Sequence, residues 1–160
     1  MKLYELTNTI IGLAIKIHRQ LGPGLLESVY QAALAYELQK ANIKFEKEKG
    51  WPVRYSDIVL DIGFRCDFLI ENSIIVECKS VRKTTDIDQA QIINYLKISD
   101  KRVGLFINFT VLRLKDGLKR TVNNYIEDDQ VIENITFQRS WRAWRFWVRI
   151  NRMILKKSTY

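Results

Sequence analysis

Apolar residues recur at intervals of three and four through Leu3, Leu6, Ile10, Leu13 or Ala14, and Ile17, which predicts an amphipathic helix over Leu3 to Leu21. Gly22-Pro23-Gly24 ends it. The same period returns through Leu26, Val29, Tyr30, Ala33, Leu34 and Leu38, so a second helix is expected over Leu25 to Ala41 beyond a tight corner. Strand patterns follow. Ile43 to Lys49 and Val53 to Tyr55 read as a strand broken by Gly50 and Pro52, with a turn at Ser56-Asp57. Ile58 to Ile70 and Ile74 to Ser80, rich in Ile, Val and Phe, predict a hairpin turning at Glu71-Asn72-Ser73. Asp86 to Ile98 is helical in period, with Thr84 or Thr85 as N-cap. Val103 to Phe109 is almost wholly apolar and suits a strand buried on both faces, and Val111 to Leu114 predicts another before a Lys115-Asp116-Gly117 turn. The order describes an α/β fold, a mixed β-sheet flanked by helices.

The 160 residues suffice for one core. Two cysteines and one histidine exclude a four-ligand zinc site, a disulfide scaffold and a multi-histidine centre, so a metal must sit on oxygen. No segment reaches about 18 uncharged apolar residues, and a soluble, cytoplasmic protein with reduced thiols is expected. The net charge of +8 is uneven. All 18 acidic residues precede Phe137 and face 19 Lys and Arg there, whereas Gln138 to Tyr160 carry seven Lys and Arg and no acid. The basic signal therefore belongs to a terminal extension, residues 125–160, rather than to the body, residues 1–124.

The hairpin carries the candidate chemistry. With a three-residue loop, Ile70 pairs with Ile74 and Asp67 stands opposite Glu77, while Lys79 shares that face opposite Arg65. Opposed Cβ atoms lie about 4.5–5.5 Å apart, and two carboxylates so close repel unless a cation separates them or one is protonated. Mg²⁺ takes such oxygens, and the backbone carbonyl of Cys78 adds a third. Phe64, Cys66, Phe68, Ile74, Val76 and Cys78 then form the opposite, core-facing set, with Cys66 set against Cys78 close enough for a bridge but expected as two buried thiols. A two-residue loop would instead send Glu77 to the other face. The competing reading of Asp67, Glu77, Lys79 and Arg65 is a solvated ladder of salt bridges.

Asp67, nine residues, then Glu77-Cys78-Lys79 in a hairpin before a helix resembles the PD-(D/E)XK nuclease superfamily. Further landmarks are His18-Arg19, the run Leu21 to Tyr30, Pro52-Val53, Arg65-Cys66-Asp67, Gly104 to Phe109 and Leu114-Lys115-Asp116-Gly117. Together they are similar to the GxxExxY proteins, a branch named for the positions of Gly24, Glu27 and Tyr30, over about Tyr4 to Asn123. The resemblance implies a restriction-endonuclease-like core and hydrolysis of phosphodiesters with Mg²⁺ or Mn²⁺, on DNA ahead of RNA. It implies Asp67, Glu77, the Cys78 carbonyl and Glu27 as metal ligands, with Lys79 orienting the attacking water or stabilising the phosphorane charge. Gln91 and Tyr95 resemble the Gln-x-x-x-Tyr element of recombination-type exonucleases, although Asp88 stands where relatives carry histidine. The alternative is a catalytically silent nucleic-acid-binding or assembly module on the same core.

Two features lie apart. His18 reads as a packed polar residue or a cation at a helix C-terminus rather than a general base. In the extension, Arg142, Arg145, Arg149, Arg152 and Lys156 recur at three and four beside Trp144 and Trp147, predicting a basic, Trp-rich C-terminal helix. Packing or homo-oligomer formation ranks first for it, a nucleic-acid arm second and a membrane surface third.

Overall fold

A computed structural model describes residues 2–123 together with 126–127 and 130–131. Two helices come first, α1 (Leu3–Leu21) and α2 (Glu27–Lys40), then strands β1 (Phe45–Tyr55), β2 (Ile58–Ile70) and β3 (Ile74–Lys79). Helix α3 (Asp86–Ser99) crosses to β4 (Val103–Asn108), and a 3-10 turn (Leu114–Gly117) leads to β5 (Leu118–Val122). The five strands form one sheet in sequence order, with β3 and β4 parallel and the other neighbours antiparallel. Short strands β6 (Ile126–Glu127) and β7 (Gln130–Val131) pair only with each other.

Helices cover both faces. On one side α1 and α2 press Ile10, Ala14, Leu34 and Leu38 onto Phe68, Ile70, Ile74, Val76 and Cys78. On the other, Tyr95 and Leu96 of α3 pack with Cys66, Leu69 and Ile75. This is the restriction-endonuclease-like α/β arrangement, and β3-α3-β4 is its crossover. Gly104 lets α3 approach, since a Cβ there would stand 2.8 Å from the Ile92 side chain. Thr85 caps α3, its hydroxyl accepting from the Asp88 backbone N–H, and Asp88 reciprocates at the Thr85 N–H.

Several expectations need correction. The first strand is continuous, because Gly50 remains in the ladder and Pro52 causes only a register shift between Trp51 and Val53. No strand forms over Val111 to Leu114: that stretch bends into the 3-10 turn, and the edge strand starts at Leu118. The even-numbered residues of β2 do not share one face. Phe64 and Cys66 pack with Tyr95, whereas Phe68 packs against the helix pair, and the irregularity falls where the β1–β2 pairing skips Glu48 (φ +50°) and Asp67. Cys66 and Cys78 consequently occupy separate apolar clusters as free thiols rather than facing one another. The C-terminal helix, including Arg142, Trp144, Arg145, Arg149 and Arg152, lies outside the described residues.

The corner between α1 and α2 is built by Tyr30. Its buried ring stacks on Phe109 at 4.4 Å, and its hydroxyl donates to the Gly22 carbonyl at 2.7 Å while accepting the Leu25 N–H at 3.1 Å. Gly22 (φ +71°) and Gly24 (φ +98°) supply the left-handed backbone that this corner demands. Lys16 and the buried Glu37 tie the two helices further at 2.6 Å. Tyr30→Phe keeps the stacking and strands both backbone groups. It is expected to lower stability by about 1–2 kcal/mol, read as a lower urea midpoint with an unchanged m-value.

Candidate active site

The loop length and register of the hairpin are the expected ones: Ile70 pairs with Ile74, Leu69 with Ile75 and Phe68 with Val76. The ladder then opens. In place of continued pairing, Asp67 Oδ2 accepts the Cys78 backbone N–H at 2.7 Å. A side chain has replaced a strand partner, so a free carboxylate oxygen can sit where the two strands part without orphaning an amide. Arg65, expected beside Lys79, instead reaches Glu48 at 3.6 Å in solvent.

Glu77 sits close by with only 4% of its surface exposed. Lys79 Nζ donates to its Oε1 at 2.9 Å, while the buried Oε2 has no hydrogen-bond partner. Burial and, next, the Asp67 charge push the Glu77 carboxyl up to about 7, against the pull of Lys79 and the Asp67 backbone N–H. Asp67 is also raised, chiefly by burial, and is opposed by the Cys78 N–H, Lys79 and Gln31. Burial would depress Lys79, but the Glu77 hydrogen bond and the charges of Glu77, Glu27 and Asp67 hold its ammonium above the ordinary value.

Glu27 is the first residue of α2, and its charge reaches both Cys78 and Lys79. Sequence reasoning missed Gln31. It lies one turn on from Glu27 on the same helix face, donates to Glu27 Oε1 at 3.4 Å and supports Asp67. The i, i+4 spacing from Glu27 was the available signal. On the opposite layer, Gln91 donates to the Tyr95 hydroxyl, and the Tyr95 ring stacks on Phe64 at 4.0 Å, which stacks on Trp51 at 5.1 Å. Burial raises the Tyr95 hydroxyl, and Glu77 adds to the effect. Where the strands part, Asp67 holds the Cys78 amide and Lys79 holds Glu77; the charge of Glu27 acts on Lys79 from α2, and Tyr95, with Gln91 bonded to its hydroxyl, lies on the α3 side of the sheet.

Asn108 was legible only as a landmark. It is buried at the end of β4 in register with Lys79, donates to the Val81 carbonyl at 2.8 Å and accepts the Val81 N–H at 3.2 Å. Phe109 N–H adds a bond to the Lys79 carbonyl at 2.8 Å. The main chain after Lys79 is thereby pinned, and the ammonium itself is held by its bond to Glu77.

Among the described residues no three His, Cys, Asp or Glu side chains form a ready cluster for a metal. Mg²⁺ needs fewer: one or two carboxylates, with water and substrate oxygens completing its sphere. An unpartnered buried oxygen on Glu77 beside a second carboxylate fits that donor set. Among the described residues no helix is long and apolar enough to cross a membrane.

A mixed sheet whose parting strands present two acids and a lysine defines a nuclease-type core. A model of the PD-(D/E)XK nuclease superfamily matches residues 4–121, and the chain belongs to that superfamily. Its nucleases typically use divalent metal ions. No curated protein and no solved structure matches the chain.

The raised acid makes a prediction about pH. Because the folded Glu77 carboxyl titrates near 7, above the ordinary 4.5, its favourable contribution is fully present below about 4.5 and is lost as the pH rises through 7. In metal-free solution Glu77→Gln is therefore expected to be more stable than the parent at pH 8 by on the order of 2 kcal/mol, and close to it at pH 4.5. Thermal melts at the two pH values with a chelator measure the difference.

Proposed function

We propose that the protein is a Mg²⁺- or Mn²⁺-dependent nuclease that hydrolyses phosphodiesters of nucleic acid, DNA in preference to RNA. The observation that carries this is the buried Glu77 oxygen left unpartnered beside Asp67, with the Lys79 ammonium 2.9 Å from the other oxygen of the same carboxylate. Asp67, Glu77 and the Cys78 carbonyl would hold the ion, with Glu27 as an additional carboxylate. A bound divalent ion would neutralise phosphoryl charge and make water a better nucleophile.

The chain's own groups do the rest. Asp67 is oriented before substrate arrives, because the Cys78 N–H fixes one of its oxygens. Lys79 stays charged at neutral pH and puts a positive charge where negative charge develops on the phosphoryl group, or holds the attacking water in line. Tyr95, kept protonated by burial, and Gln91 offer hydrogen bonds to substrate from the α3 side. Placement in the GxxExxY branch is supported by the structural work of its named positions, since Gly24 and Tyr30 shape the corner that delivers Glu27. We place its action in the cytoplasm, where nucleic acid is at hand and the buried thiols stay reduced.

Asp67→Ala and Glu77→Ala should lose both Mn²⁺ binding by isothermal titration and cleavage of single- or double-stranded DNA. Lys79→Ala should keep Mn²⁺ binding and lose on the order of 10²-fold or more in rate. A parent protein that cleaves neither DNA nor RNA with either ion, with Mn²⁺ affinity unaltered in Asp67→Ala, refutes the proposal and favours the silent binding module.

We propose a separate role for residues 125–160, with Arg142, Trp144, Arg145, Arg149 and Arg152 contacting nucleic acid or a second copy of the chain. Deleting Gln138 to Tyr160 should leave cleavage in place while weakening nucleic-acid affinity or changing the sedimentation coefficient. Loss of cleavage on truncation contradicts this division.

A further inference from the structure

Strand β2 outruns its partner on one side. β3 pairs with it over Phe68 to Ile70, whereas β1 follows it to the tip at Tyr55 and Ile58, so the outer part of the β1–β2 hairpin extends past β3 as a two-stranded ribbon. Such a ribbon is marginal by itself. It leans on α3 through the stack of Phe64 on Tyr95, and between the two runs a groove of about 470 Å³. Val53, Leu60 and Phe64 line its hairpin wall. The other wall is one stripe of α3, in which Ile87, Ala90, Gln91, Asn94, Tyr95 and Ile98 recur at three and four residues.

The groove and the acids lie on one face of the sheet. Side chains alternate along β3: Ile74, Val76 and Cys78 enter the cluster beneath α1 and α2, and Ile75 joins Tyr95 and Leu96, so Glu77 and Lys79 project on the α3 side. Tyr95 lines the groove and feels the charges of both. Gln91 lines it as well, and its bond to the Tyr95 hydroxyl uses one N–H of an amide that has a second N–H and a carbonyl oxygen to offer.

The lining selects a chemical class. Among the described residues it holds no charged side chain, so it offers little to a phosphate, whose place is beside Lys79 and the acids. Two neutral amides and a phenol set among aliphatic and aromatic side chains suit a flat, neutral group with hydrogen-bonding edges. Nucleobases of single strands are held in that way, by stacking on their faces and bonds to their edges. Ile87 and Ile98, 78% and 41% exposed at the two ends of the stripe, are apolar area that such a group would cover. The volume lies within the roughly 300–1,000 Å³ of small-ligand sites and admits no duplex. We propose that this groove receives an unstacked nucleobase of the strand being cut, with Gln91 and Asn94 bonding its edge and the apolar side chains holding its faces. The proposal rests on the nuclease reading. It narrows the substrate to unpaired strands, because a base within a duplex must be extruded before it can enter a pocket.

Strands with and without bases separate this groove from phosphate binding. In a full-length Glu77→Gln background, anisotropy titrations compare a fluorescent single-stranded oligothymidylate with an abasic strand of equal length, for Ala90 and Asn94 intact and for Ala90→Leu/Asn94→Leu. The two leucines stand one turn apart, fill the middle of the groove and remove an amide. Both positions are exposed and leucine favours the helix, so the melting temperature should hold. The double variant should bind oligothymidylate about tenfold more weakly, bind the abasic strand as before, and keep the salt slope, since no phosphate contact is lost. Equal weakening on both strands, or none on either, overturns the groove alone, as does a Glu77→Gln protein that binds the two strands alike. A sedimentation coefficient that falls with the leucines in the absence of DNA overturns it in favour of a second copy of the chain as occupant. A Glu77→Gln protein that binds neither strand overturns it together with the nuclease reading.

Discussion

The structure depends on the point at which β2 and β3 cease to be partners. Beyond Phe68 and Val76, the Cys78 amide is satisfied by the Asp67 side chain rather than by the neighbouring strand. Continuing the ladder would be the ordinary way to satisfy backbone groups, and it would leave the Asp67 carboxylate without the Cys78 amide that now orients it. Parting the strands leaves room around two carboxylates, and Glu77 bears the electrostatic cost through a carboxyl titrating near 7. The remainder of the fold holds this opening in shape: α2 brings Glu27 and Gln31 from one side, Tyr95 closes the other, and Asn108 fixes the strand end beneath Lys79.

Much of this was legible in the sequence, for reasons that differ by element. Helix α1 was readable to its last residue because the amphipathic period and the glycine corner agree. The hairpin register followed from a three-residue loop and the period of two along Ile70 and Ile74. The failures share a cause. Strict alternation assumes an unbroken ladder, and near Glu48 and Asp67 the ladder is broken by a positive-φ residue that composition does not announce. Phe64 and Cys66 therefore turned to the α3 layer. Val111 to Leu114 looked like a strand because its residues are apolar, whereas a histidine ninety-three positions earlier in the chain holds that segment in a bend. Gln31 gave only a helical spacing from Glu27, which many surface glutamines share.

The Gly24, Glu27 and Tyr30 positions illustrate how a motif can mix architecture with chemistry. Gly24 and Tyr30 shape and fasten the corner; only Glu27 faces the charged cluster. The spacing is set by the helix: Tyr30 lies one turn after Glu27, so the corner bonded to its hydroxyl and the carboxylate emerge from the same end of α2. Changing either structural residue would then move the acid without touching it.

The two thiols carry a last consequence. Cys66, pushed up to about 12 chiefly by burial, and Cys78, raised still more firmly by the same cause, lie in separate apolar clusters with the sheet between those clusters. Neither offers the thiolate that peroxides or mixed disulfides require. Although Cys78 adjoins Lys79, burial keeps both sulfurs as thiols, so neither cluster places a redox-reactive sulfur beside the parted acids.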